Sequence, residues 1–211
     1  AELEYAKNYD PLTGLPNPII FYDRITQVIE RGYRHDQLAA ILVVDMGMLS
    51  QINTSLGRDA GDKLIVKVAE RLNATFRKCD GITRLTISRF GGDEFAILLT
   101  DLKSKETVTW MVKRLMDTLA EQIDIDGNSI FLACHVGISL YPSDANSVED
   151  LINNAMIAKK YSKQLQNQAN HQFFDHYMQE LSIKHLSLDK DLRRAIQNEE
   201  WVLYYQPKLD V

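Results

Sequence analysis

The clearest pattern in the chain is LAAILVVD (Leu38–Asp45), an unbroken apolar run that ends on a carboxylate. Its length suits a strand, and its lack of alternation predicts burial on both faces. Before it, DPLTGLPN (Asp10–Asn17) is punctuated by Pro, Gly and Asn and predicts turns. Ile20, Phe21, Ile25 and Ile29 then share one face of a helix expected over Pro18–Gly32. Two further helical stretches, Met48–Ser55 and Asp59–Arg77, are separated at Gly57. Ile82–Phe90 and Glu94–Thr100 are strand-like and meet at Gly91–Asp93, which predicts a β-hairpin with its tip there. Val108, Met111, Val112, Leu115 and Leu119 mark a helix over Lys105–Gln122. Ile123–Tyr141 predicts a second hairpin turning at Asp126–Asn128, and Val148–Leu165 is helical. The fold class expected is α+β, an antiparallel-rich central sheet flanked by helices.

From about Gln172 the pattern changes. A helical patch and LDKDLRRAIQNEE (Leu188–Glu200) lead to WVLYYQPKLDV (Trp201–Val211), an apolar strand with no partner after it. The domain organisation expected is the end of an upstream helix over 1–9, a main domain over 10–175, a helical linker over 176–200 and the first strand of a further domain over 201–211. The chain reads as a piece of a longer protein.

Composition narrows the function classes. The 211 residues are 45% hydrophobic and 25% charged, with a net charge of −5 and a pI near 5.6. That charge argues against a grip on long nucleic acid, which depends on Lys and Arg neutralising phosphates. It leaves a single nucleotide open, since magnesium supplies local positive charge. No apolar run approaches the roughly 20 residues of a membrane span, and the start lacks a signal peptide's regions. Cys79 and Cys134 form no metal-ligand spacing and read as ordinary thiols of a reducing cytoplasm.

Candidate chemistry concentrates in RFGGDEFAILL (Arg89–Leu99). Gly91 and Gly92 free the backbone for conformations closed to other residues and for close approach to a ligand. Asp93 and Glu94 follow, on opposite faces if strand alternation persists. Asp45 closes the apolar strand. Were Asp45 and Asp93 neighbours, they would form an oxygen site suited to magnesium. The same spacing also fits an ordinary turn with solvated acids.

RFGGDEF matches the signature of the GGDEF family of diguanylate cyclases letter for letter. Val43–Asp62 resembles that family's metal-and-guanine segment and Asp10–Asn17 its opening motif. His135–Asp144 resembles its later strand and Ala155–Lys163 its last core helix. The resemblance runs in order from about Tyr9 to Phe174, and five motifs in register are specific. YYQPKLD (Tyr204–Asp210) resembles the opening of an EAL-type cyclic-di-GMP phosphodiesterase. The resemblance implies a nucleotide-cyclase/polymerase-palm (ferredoxin-like) fold that joins two GTP molecules into cyclic di-GMP across a homodimer. Magnesium, with manganese as the alternative ion, would be held by Asp45, Asp93 and the Met46 carbonyl. Asp93 or Glu94 would ease deprotonation of the 3′-hydroxyl. Asn53 and Asp62 would read guanine, while Arg89 and Lys163 would neutralise phosphate charge. The adjoining EAL domain would be a partner, the compartment the cytoplasm.

Departures from the family pattern weaken that reading at particular places. Gly47 stands where a second Asp is usual, and Leu49-Ser50 where Phe-Lys is usual. Thr54, Arg58 and Met156 replace Asp, His and Asp, and Gln166-Asn167-Gln168 replaces a Gly-Arg-Asn run. Two phosphate cations are thereby lost, at about 1.5–3 kcal/mol for each charge-assisted contact. Ile82 and Leu85 occupy the positions of the family's inhibitory Arg-x-x-Asp product site, with Arg84 out of register, so no product binding is expected there. An active cyclase is the first expectation. The alternative is a catalytically weak or inactive GTP-binding domain that regulates an adjoining phosphodiesterase.

Overall fold

The computed structural model describes residues 7–35, 38–77, 84–165 and 170–204. The apolar run forms β1 (Leu38–Asp45), buried on both faces as its lack of alternation predicts. Ala40, Leu42 and Val44 enter one core with α3 (Arg58–Arg77) and α4 (Lys105–Ala120). Ala39, Ile41 and Val43 enter a second core with α1 (Pro18–His35) and α5 (Val148–Gln164). Helices on both faces explain why this strand carries no polar side chain before its last residue: each such group would need a partner in an apolar interior.

β1 is central because it is bonded on both edges. One neighbour is β3 (Glu94–Leu102), which forms the expected hairpin with β2 (Arg84–Gly91). The other is β6 (His135–Tyr141), itself extended by the short parallel strand β7 (His171–Phe173). The sheet order is β2-β3-β1-β6-β7. The second hairpin turns where expected, but β4 (Ile123–Ile125) and β5 (Asn128–Ile130) form a separate two-stranded ribbon. The chain then needs Phe131–Cys134 to return to the main sheet.

The short helix α2 (Leu49–Leu56) meets α3 at Gly57, whose φ of 88° no β-branched residue adopts comfortably. Helix α1 runs three residues past its expected end at Gly32. The chain divides into two compact units between Asp175 and His176. In the second unit the helical patch and Leu188–Gln197 form one helix, α6 (His176–Gln197). Trp201–Tyr204 has no regular structure, in contrast to the strand expected there; the remainder of that strand, the lower part of the leading helix, Cys79, Ile82 and Gln166–Gln168 lie outside the described residues. No described helix is long and apolar enough to cross a membrane.

Candidate active site at the ends of β1 and β3

Two registers set the site. Asp45 stands opposite Glu94 on β3 and opposite His135 on β6. Directly opposed residues of antiparallel strands project to the same face, so Asp45 and Glu94 both point toward α5. Asp93 is displaced by one position. Its backbone carbonyl accepts the Met46 N–H at 3.1 Å, which splices the hairpin tip onto the end of β1. The acids expected to converge were Asp45 and Asp93; the pair joined here through one side chain is Asp45 and Glu94. The Asp93 carboxylate has no ion pair among the described residues and is half-buried. Gly91 and Gly92 turn the tip at φ 131° and 52°, with open space around both, so backbone conformation alone requires glycine.

Helix α5 supplies the positive charge. It rests on β6 at Gly137, where an added Cβ would overlap the Ala155 carbonyl oxygen and the Lys159 amide nitrogen. That contact places Lys159 at the ends of β1 and β3. Its ammonium pairs with Glu94 Oε1 and lies 3.7 Å from Asp45 Oδ2, with the Lys159 side chain only 11% exposed. One turn on, Lys163 Nζ donates to Asp45 Oδ2 at 2.6 Å, but from a side chain 41% exposed. Asp45 Oδ1 accepts the Gly47 N–H at 2.9 Å. That bond accounts for Gly47: its φ is 69°, and a Cβ there would sit 3.0 Å from the Ala133 carbonyl oxygen. Sequence reading missed Lys159. The signal was available, because Leu151, Ile152, Ala155, Lys159 and Ser162 fall on one buried stripe of α5.

The surroundings respond to these charges. Burial, then the nearby Lys163 charge, push the His135 imidazole below its ordinary value, and Asp45 opposes them. Burial, reinforced by the Asp45 charge, pushes the Cys134 thiol up to about 12, which makes it a poor nucleophile at neutral pH.

Arg89, expected at the phosphates, is engaged elsewhere. Its Nη1 donates to both Asp10 carboxylate oxygens at 3.2 and 3.1 Å, and its Nη2 donates to the Gly92 carbonyl at 3.0 Å. The Arg89 N–H and the Ser88 hydroxyl both donate to the Pro16 carbonyl. Arg89 thus fastens the opening turn to the hairpin. Burial alone would raise the Asp10 carboxyl, but hydrogen bonds from Thr13 and Arg89 outweigh it and hold the group below its usual range.

Asn53 and Asp62, the residues expected to read guanine, lie on α2 and α3. The Asn53 side chain lies flat against Gly61, where a Cβ would overlap its Oδ1. Asp62, next to Gly61 in the chain, is exposed. Ser50 and Arg58 are also exposed. A cleft of about 1010 Å³ between α1 and the β2–β3 strands, lined by Arg24, Arg31, Thr86 and Thr100 among others, shares no residue with this site.

A divalent cation tests the acids differently. Carboxylates and a backbone carbonyl are suitable magnesium donors by chemistry. Yet each oxygen of Asp45 already accepts a hydrogen bond, and the ammonium groups of Lys159 and Lys163 stand at Asp45 and Glu94, where they would repel a cation. Among the described residues no group of three His, Cys, Asp or Glu is placed to hold a metal ion. As held here, the residues do not fit a metal.

Comparison with known proteins agrees with the geometry. Residues 7–181 match the family described as diguanylate cyclase, GGDEF domain. The chain is 34% identical over 209 residues to the cyclic di-GMP phosphodiesterase NbdA of Pseudomonas aeruginosa, covering 99% of this chain and 26% of that protein. It is 31% identical over 164 residues to the diguanylate cyclase TpbB of the same species, covering 77% of this chain and 37% of TpbB. The solved GGDEF domain of TpbB superposes with a TM-score of 0.75 at 27% identity, covering 82% of this chain and 98% of that one. The chain spans about a quarter of the first of these relatives and little more than a third of the second. With the family matched over most of its length and the palm-type sheet in place, this chain belongs to the GGDEF diguanylate cyclase domain family.

Proposed function

We propose that the domain binds GTP in the cytoplasm, turns it over slowly, and uses nucleotide occupancy to regulate an adjoining EAL phosphodiesterase domain. The observation that carries this reading is the state of the acids. Asp45 and Glu94 are already neutralised by Lys159 and Lys163. Guanine would be read by Asn53 and Asp62, whose paired donor and acceptor groups suit the guanine edge and reject adenine. Lys163, the more exposed lysine, would turn from Asp45 to the phosphates. Arg89 would act indirectly, by holding the hairpin against the opening turn. The name of the relative NbdA, a phosphodiesterase, is consistent with a regulatory role.

Condensation of two GTP into cyclic di-GMP by a homodimer is the second reading. It is favoured by the complete Gly91–Glu94 tip and by the Asp93 carboxylate, which has no ion pair among the described residues. This reading requires Lys163 to leave Asp45 Oδ2, so that Asp93, Asp45 and the Met46 carbonyl would hold magnesium or manganese.

Calorimetry with GTP, paired with a conversion assay at high protein concentration, separates the two. The expected result is saturable GTP binding, lost in Asn53→Ala and Asp62→Ala, with little cyclic di-GMP formed. Abundant product that disappears in Asp93→Ala would establish the cyclase instead. Absence of GTP binding would remove both.

A further inference from the structure

We propose that Lys159 is a resident cation of the acid pair, its ammonium balancing Asp45 and Glu94 in the place of a divalent ion, so that the site by itself has little affinity for divalent metal. This deepens the nucleotide-binding reading above, but its test needs no nucleotide.

The argument is one of charge and mobility. Two carboxylates face two ammonium groups, so the cluster of Asp45, Glu94, Lys159 and Lys163 carries no net charge. A divalent ion entering it gains no field and meets two like charges; to bind, it must displace a lysine. Lys163 can leave, because much of its side chain already lies at the surface. Lys159 cannot. Its backbone is held against β6 at Gly137, and its side chain, only 11% exposed, belongs to the buried stripe of α5 that includes Ala155 and Ser162. Moving it off Glu94 would strand an ammonium with little water to replace the carboxylate. Lysine is also the right cation for such a post, a compact charge on a long stem whose methylenes pack against apolar neighbours.

Titration of the chain with Mn2+ in the absence of nucleotide, followed by the electron paramagnetic resonance signal of free Mn2+, tests this. Wild type is expected to bind weakly. Lys159→Met should bind about tenfold or more tightly, and Lys163→Met should gain less. Lys159→Arg, which keeps the charge, should stay weak. Mn2+ should raise the melting temperature of Lys159→Met and leave wild type nearly unmoved. If Lys159→Met does not fold, Lys159→Gln keeps a hydrogen-bond donor toward Glu94, and the same tightening is expected. Tight Mn2+ binding by wild type would overturn the proposal, as would equal or weaker binding by the folded neutral variant. A failure to bind GTP would leave these results untouched, so the two readings fail separately.

Discussion

The Asn53–Asp62 seat and the acid end are built from equally close contacts, yet they differ in what those contacts restrain. At the acid end, Gly137 brings the backbone of α5 onto β6, and every charge of the Asp45–Glu94 pair is answered from within the protein. At the seat, Gly61 meets side-chain atoms, the Asn53 amide and the Leu49 Cδ1, and the neighbouring Asp62 is exposed to solvent. The first region is finished without a ligand. In the second, the Asn53 and Asp62 side chains make no hydrogen bond among the described residues, which leaves their donor and acceptor groups available.

Substitution at the two glycines would sharpen that contrast most. Gly137→Ala forces a methyl group into backbone atoms that cannot rotate away, and a stability loss of about 3 kcal/mol or more is expected in urea unfolding. A loss under about 1 kcal/mol would mean that α5 is not seated as described. Asp10→Ala tests the fastening of the opening turn. It leaves the Arg89 guanidinium, whose Nε is already buried without a hydrogen-bond partner among the described residues, to face Gly92 alone. About 2 kcal/mol should be lost, and an unchanged midpoint would show that the clamp contributes nothing. Gly61→Ala should behave oppositely to Gly137→Ala. Alanine favours the helix, so the melting temperature should hold or rise, while the displaced Asn53 amide lowers GTP affinity about tenfold. Equal loss of fold at both glycines would erase the distinction.

The smallest effect concerns pH. Burial holds His171 on β7 below its ordinary value of 6.5, so near that pH the unfolded chain binds a proton that the folded chain refuses. The stability associated with this group is therefore complete above about pH 6.5 and declines as pH falls toward the lowered folded value. His171→Asn should flatten the pH dependence of the melting temperature between pH 7 and 5. A steeper dependence in the variant would mean that His171 is charged in the folded chain.

Much of this architecture was legible because burial writes itself into the chain. β1 could be bounded at Asp45 because a strand covered on both faces tolerates no earlier polar residue, and the β2–β3 tip because Gly91 and Gly92 adopt φ values that other residues avoid. The separation of β4–β5 from the main sheet was not legible, since a hairpin pattern does not say which sheet it joins. The motif also could not reveal how Arg89 is spent. Its partner Asp10 lies 79 residues away and becomes a neighbour only when β2 is folded. Lys159 was overlooked for a different reason: a lysine is read as solvated by default, although its place on the buried stripe of α5 contradicted that default.

The strand that ends in Asp45 is tied along both edges and covered on both sides. Its carboxylate therefore behaves as a fixed post, unable to follow whatever approaches it. Whatever alters the charge that this post meets must therefore come to it, and the nearest such groups are the two lysines of α5.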